Sequence, residues 1–146
     1  MHAKELIGAE NSVLHTIGRD GTIHEAITKL NDHKIGALLV AEADEVFGIL
    51  SERDILTVCA RCKENDICSM KVSEVMTTGI VYANMEDDLV EVMKAFRKNH
   101  IRHIPLKSDG KVKAMISMRD VNSALIDAIT NENERLVEYI TGKYMA

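Results

Sequence analysis

The sequence has no tryptophan, three tyrosines, two phenylalanines, one proline and three cysteines in 146 residues. So few aromatic rings leave no stacking platform for a run of bases, and no cluster of Lys and Arg stands ready to neutralise a row of phosphates; the net charge is −5. Nucleic acid is therefore not the expected partner. No apolar run approaches the ~18 residues of a membrane span, and Met1-His2-Ala3-Lys4-Glu5 lacks the apolar stretch and cleavage site of a signal peptide, so no membrane partner and a cytoplasmic location are expected. Cys59, Cys62 and Cys68 are too few and too oddly numbered for a disulfide framework. Cys59 and Cys62 have C-x-x-C spacing but no second ligand pair, and with Ile55 and Val58 they fall on one helical stripe, which predicts packing and not a metal. Walker, Rossmann and nucleophile-elbow motifs are also missing, so no enzyme and no catalytic cofactor are expected.

What the chain does contain is a duplication. Gly48-Ile49-Leu50-Ser51-Glu52-Arg53-Asp54-Ile55 returns 66 positions later as Ala114-Met115-Ile116-Ser117-Met118-Arg119-Asp120-Val121. The same offset superimposes Ile23, Ala26, Ile27 and Leu30 on Leu89, Val92, Met93 and Phe96. Two copies of a unit this long make a pseudo-twofold module, not a solenoid. A single copy would be a marginal folding unit, so burial shared between the copies is the expected source of stability.

Each copy reads as strand, amphipathic helix, strand, tight turn, strand, helix. In the first these are Val13–Ile17, Thr22 to His33, Ala37 to Ala41, a turn over 42–45, Val46 to Leu50, and a helix from Ser51. In the second they are Ile80–Tyr82, Glu86 to Asn99, His103 to Leu106, a turn over 107–110, Val112 to Ile116, and a helix from Ser117. The expected class is α/β (α+β): two β-α-β-β-α repeats related by a pseudo-twofold axis, each a small mixed sheet covered by helices. The units are 8–66 and 72–128, joined by an ordered connector over 61–70, with a C-terminal helical extension over 129–146. Pro105 lacks an N–H and predicts an edge or a groove-facing position. Val121, Leu125, Ala128, Ile129, Leu136, Tyr139 and Ile140 keep helical spacing, a stripe that needs the module or a dimer mate as its partner.

The chemistry lies in Ser51-x-x-Asp54 and Ser117-x-x-Asp120. A strand that runs straight into such a helix presents free amides, a positive dipole end and a hydroxyl to a phosphate. The carboxylate can accept from adjacent hydroxyls, as in ribose recognition, and Arg53 and Arg119 offer a charged fork for phosphate. The same spacing is also a capping box, which stabilises a helix without any ligand. Symmetric duplication of Ser, Arg and Asp at the mouth of a cleft favours binding. His100 and His103 have ligand-like spacing, but three residues along a chain entering a strand point to opposite faces, which predicts groove lining and not a metal site. Met76, Met93, Met115 and Met118 are read as core and groove filling.

These residues carry a resemblance. Lys34-Ile35-Gly36-Ala37-Leu38-Leu39-Val40 followed by Phe47 to Ile55, and Val75-Met76-Thr77 with His100-Ile101-Arg102-His103-Ile104-Pro105-Leu106 followed by Ile116 to Asp120, resemble a tandem pair of CBS domains (a Bateman module) from Ser12 to Asp127. The close, Asn133 to Gly142, is similar to that of small stand-alone bacterial members. The resemblance implies a non-enzymatic regulatory module, signalling as a homodimer to a regulated protein, that binds an adenosine-containing ligand between the repeats: AMP, NAD(H), ATP or S-adenosylmethionine. It implies that Ser-x-x-Asp holds phosphate and ribose. It places adenine contacts at Thr16, Ile17, Ile35, Gly36 and Ala37, or at Tyr82, Ala83, Arg102, His103 and Ile104, with Thr77 and Pro105 also in the ligand groove. Gly36 and Arg102 differ at one equivalent position, so unequal sites are expected, with Arg102 adding charge near only one. The competing reading is a constitutive dimerisation or docking adaptor that takes no small ligand.

Overall fold

In the computed structural model, which describes residues 1–8, 13–62 and 66–142, Thr22 accepts a hydrogen bond from the Glu25 amide at 3.1 Å and starts helix α1 (Ile23–His33). The helix buries Ile23, Ala26 and Leu30 and ends on Lys34, whose φ of 53° is left-handed. Its counterpart α4 (Leu89–Asn99) buries Leu89, Val92 and Phe96 and ends in the same way on His100, also at φ 53°. The start of α4 lies three residues later than the spacing predicts. Residues 84–87 form a turn instead, with the Asp87 amide donating to the Asn84 carbonyl and the Asn84 amide donating to the Asp87 carboxylate, and Asp88 becomes the cap.

Strands β1 (Thr16–Ile17), β2 (Ala37–Glu42) and β3 (Glu45–Ser51) form one sheet in that order, with β1–β2 parallel and β2–β3 antiparallel. Strands β4 (Ala83–Asn84), β5 (His103–Ser108) and β6 (Lys111–Ser117) repeat the arrangement, down to a register shift at the same place in the central strand. Helices α2 (Glu52–Arg61) and α5 (Met118–Ile140) follow directly from β3 and β6. The fold is thus mixed α+β, two small three-stranded sheets covered by helices.

The first strand of each copy is shorter than expected. In the first copy the Leu39 amide donates to the His15 carbonyl at 3.1 Å, and Val13 and Leu14 lie upstream of the strand pairing. In the second copy the position of Leu39 is Pro105, which has no N–H to offer Val81, so residues 80–82 are not a strand and pairing starts only at Ala83. Pro105 therefore sits buried in the central strand, opposite Met115, and not on an edge strand. What it leaves unpaired is the flank where β4 has not yet begun.

The segments that lead into the repeats are exchanged. Ala3, in a 3-10 helix (Ala3–Leu6), is fully buried in the core of the second repeat, tied there by Ala3 N–H to Asp87 O at 2.8 Å and Leu89 N–H to Met1 O at 2.9 Å. Val72 and Val75 of the short helix α3 (Val72–Val75) belong to the core of the first repeat, with Val72 N–H donating to Gly21 O at 2.8 Å. Beyond α3, Thr77 and Ile49 exchange reciprocal backbone hydrogen bonds of 2.8 and 2.9 Å. Gly48 makes this crossing possible, since a Cβ there would stand 2.7 Å from the Thr77 carbonyl oxygen.

Two helical faces remain uncovered. No α2 residue is buried, and Cys59, expected in the core, is exposed beside Leu56; only Ile55 and Val58 pack on the first core. In α5 only Val121 is buried, whereas Ile126, Ile129, Leu136, Val137, Tyr139 and Ile140 are exposed, so the module does not cover the terminal stripe. The 3-10 turn Ile67–Ser69, capped by Asp66, gives the connector order where it is described; residues 63–65, Ser12 and 143–146 lie outside the described residues.

Candidate functional site: two clefts between the repeats

β3 and β6 each end on a serine that caps the next helix. The Asp54 amide donates to Ser51 Oγ at 3.2 Å, and Asp54 Oδ2 accepts from the Ser51 amide at 2.9 Å and from Ser51 Oγ at 3.0 Å. Asp120 repeats the box with Ser117 at 3.0 and 3.1 Å. Both motifs are therefore complete capping boxes, with the serines at the cap and not inside the first turn. The Glu52 amide donates to Gly36 O at 3.0 Å and the Met118 amide to Arg102 O at 2.8 Å, so each helix start is also pinned to the opposite strand entry, within one repeat. These contacts use most of the helix-terminal donors and leave the Arg53 and Arg119 amides and guanidinium groups for an anion. The other carboxylate oxygen of Asp54 accepts from Thr77 Oγ1 at 2.9 Å, a bond that reaches across from the lead-in of the second repeat. Asn11, the position equivalent to Thr77, lies outside the described residues.

Two cavities open on these termini, and each is built from both repeats. The smaller, about 480 Å³, joins Ser51, Glu52, Arg53 and Asp54 to Thr77, Ile80, Val81 and the run from His100 to His103. The larger, about 880 Å³, joins Ser117, Arg119 and Asp120 to Val13, His15 and the run from His33 to Ala37. Both volumes fall in the range of small-molecule sites. Gly36, Glu52, Arg102 and His103 line both cavities and so form the wall between them. His103 fills the space a side chain at position 36 would take, its Nε2 lying 2.9 Å from where a Gly36 Cβ would stand. Burial holds the His103 imidazole below its ordinary pKa, against the pull of Glu52 and Asp120 and with a small push from Arg102. Burial, His33 and Lys29 likewise lower His15.

Of the residues expected in the site, Gly36, Ser51, Arg53, Asp54, Thr77, Arg102 and His103 line the smaller cavity, and Ile35, Gly36, Ala37, Arg102, His103, Ser117, Arg119 and Asp120 line the larger. Thr16, Ile17, Tyr82, Ala83, Ile104 and Pro105 line neither. Ile17, Ala83, Ile104 and Pro105 are core, the Thr16 carbonyl accepts from Lys29 Nζ at 2.9 Å, and the Tyr82 ring lies under Lys107 Nζ at 3.7 Å. Their places on the wall belong to the residues just upstream, His15 and Val81, which are equivalent at the internal offset. Arg102 serves both cavities, a correction to the expectation that it charges one. His100 and His103 line the same cavity: His100 is the left-handed cap of α4 and not part of the strand, so strand alternation does not govern it. His33, Lys34 and Glu52 also line the larger cavity, and the signal that points to them is position: Glu52 lies between Ser51 and Asp54 in the repeated segment, where the second copy has Met118, and His33 and Lys34 follow directly on the repeated apolar positions of α1.

Comparison with known proteins identifies the family of this fold. The family model of the CBS domain matches twice, at residues 5–61 and 72–127. The mitochondrial CBS domain-containing protein CBSX3 of Arabidopsis thaliana is 31% identical over 131 residues, covering 86% of this chain, which spans 63% of that protein's length. The crystal structure of the CBS-domain protein ATU1752 from Agrobacterium tumefaciens superimposes with a TM-score of 0.79 at 30% identity, covering 85% of this chain and 98% of that one. At 20% identity the same fold is seen in the CBS protein PAE2072 from Pyrobaculum aerophilum complexed with AMP (TM-score 0.72, 82% and 89% covered) and in the CBS domain pair of protein MJ0100 in complex with 5′-methylthioadenosine and S-adenosyl-L-methionine (TM-score 0.75, 88% and 98% covered). With two family matches that together span most of its length, and with relatives that carry the same pair, this chain belongs to the CBS domain family as a tandem CBS pair.

Proposed function

We propose that this CBS pair is a non-enzymatic regulatory module, signalling in the cytoplasm, that binds an adenosine-containing ligand, AMP, NAD(H) or ATP, between its repeats and reports energy or redox state to a regulated protein. The observation that carries the reading is that each cavity joins the Ser-x-x-Asp terminus of one repeat to a wall from the other. A ligand there touches both repeats at once, so its affinity depends on their relative arrangement, and that dependence is what a signal requires. In the smaller site Arg53 offers a fork to phosphate, and the Asp54 oxygen now accepting from Thr77 can accept from a ribose hydroxyl. The AMP and S-adenosylmethionine complexes of two proteins with this fold support the ligand class.

The second copy in a homodimer covers the apolar stripe of α5. Ile129 and Ile140 are 60% and 80% exposed, and a twofold interface needs only one such self-complementary patch. The docking-adaptor reading keeps one observation in its favour, that both capping boxes are complete without a ligand.

Thermal unfolding against AMP, ADP, ATP, NAD, NADH and S-adenosylmethionine separates the two. A ligand at a hundredfold excess over its Kd adds about 2.7 kcal/mol, a rise in Tm of roughly 5–10 °C at this size. The expected result is such a rise with at least one of them, reduced in Asp54→Asn or Asp120→Asn relative to that variant's own baseline. No rise with any, in protein shown to be free of co-purified ligand, removes the sensor and leaves the adaptor. Sedimentation of the same sample at tens of micromolar is expected to give a dimer, and a monomer there removes the homodimer.

A further inference from the structure

The cavities differ where the repeats differ. His15, His33 and Lys34 line the larger one; the equivalent positions are Val81, Asn99 and His100, of which Asn99 does not line the smaller. In the smaller cavity Arg53 and Arg102 are matched by Glu52 and Asp54. In the larger, Lys34, Arg102 and Arg119 outnumber Glu52 and Asp120, and three imidazoles are present where the smaller has two. The His15 and His33 rings stack with centroids 4.1 Å apart.

We propose that the larger cavity is the site of a polyanionic ligand, a nucleoside di- or triphosphate, whose binding takes up a proton on His15, the imidazole stacked on His33. The proposal rests on the nucleotide reading above and adds to it a charge class and a pH dependence. His33 beside His15, Lys29 on α1 and Lys34 at its cap set positive charge against a protonated His15, so without an anion that ring resists protonation. Burial and these neighbours already hold His15 low. Arg119 on α5, Arg102 before β5 and His103 at its start complete the cationic wall, while Glu52 on α2 and Asp120 on α5 are the carboxylates that face it. A phosphate chain lying against the pair reverses the balance and raises the His15 imidazole, and by linkage its affinity rises as pH falls through the range of that ring. The terminal phosphate of the ligand works in the opposite direction, losing charge as it protonates, so a variant without the imidazoles is the reference.

Isothermal titration of the full chain with magnesium-free ATP and with inorganic tripolyphosphate, at about pH 6 and about pH 8 in buffers of different ionisation enthalpy, tests this. The expected result for wild type is uptake of about one proton and an affinity roughly tenfold higher at the lower pH, the linkage of one proton over one pK unit. The His15→Gln/His33→Gln double variant is expected to lose both effects. Lys34→Gln, an exposed change, is expected to weaken binding severalfold while keeping the proton uptake, which guards against misfolding of the double variant. Binding of ATP without proton uptake, or uptake that survives in the double variant, overturns the proposal. Proton-linked binding of tripolyphosphate with no binding of ATP keeps the polyanion site and overturns its assignment to a nucleoside polyphosphate. Failure of both probes to bind overturns the proposal, and the nucleotide reading then stands or falls on AMP and NAD(H) in the thermal screen.

Discussion

His103 occupies the wall shared by the two cavities, against Gly36 and within reach of Glu52 and Asp120. Its imidazole and that of His15 titrate below the ordinary value of 6.5 in the folded protein, chiefly because burial disfavours the charged ring. The unfolded chain therefore binds more protons than the folded one near and below that value, and the slope of stability against pH is positive there. Stability is full above pH 6.5 and is lost as pH falls through that value toward the lowered one. Ligand-free protein is expected to lose Tm between about pH 7.5 and about pH 5.5, less steeply in His103→Gln, with His15 supplying the remainder. An unchanged slope in that variant contradicts the assignment. At this scale the repeated Ser, Arg and Asp were legible in the sequence because they recur at one offset. His15 and Val81 were not, since the apolar pattern of a first strand does not say which of its residues reaches the cleft, and the wall falls one residue upstream of Thr16 and Tyr82 in both copies.

Among the elements, every helix and strand of the duplicated pattern appears, and the differences lie at the ends. α4 starts late because an Asn84–Asp87 turn takes the residues whose spacing suited a helix, and β4 starts late because Pro105 cannot donate. The Cys59 stripe shows a limit of periodicity: helical spacing identifies an apolar face but not what covers it, and α2 leaves Cys59 exposed while Leu56 borders the smaller cavity. Gly48 carries the sharpest element-scale test. A methyl there meets a backbone oxygen at 2.7 Å, which cannot rotate away, whereas Ala114 at the equivalent position is accommodated in the core. Gly48→Ala is expected to cost about 1–3 kcal/mol, seen as a fall in Tm of several degrees, by forcing Thr77 off β3. A variant as stable as wild type would show that the crossing segment is not held where the close approach places it.

For the molecule as a whole, the duplication was plain in the sequence, but the exchange of lead-ins was not. Lys4-Glu5-Leu6-Ile7 and Ser73-Glu74-Val75-Met76 are apolar-polar segments that would suit either core, and nothing local says that each belongs to the other repeat. Their exchange buries Ala3 in the second core and Val72 in the first, so the pair folds as one unit and neither cleft exists without both copies. The shape of each cleft thus depends on how the repeats sit together. The most direct test is a crystal structure grown with AMP. The account predicts the ribose on Asp54 or Asp120, the phosphate beside Arg53 or Arg119, and the base against the wall of the opposite repeat at Val81 or His15. AMP bound outside both clefts, or held by residues of a single repeat, would contradict it.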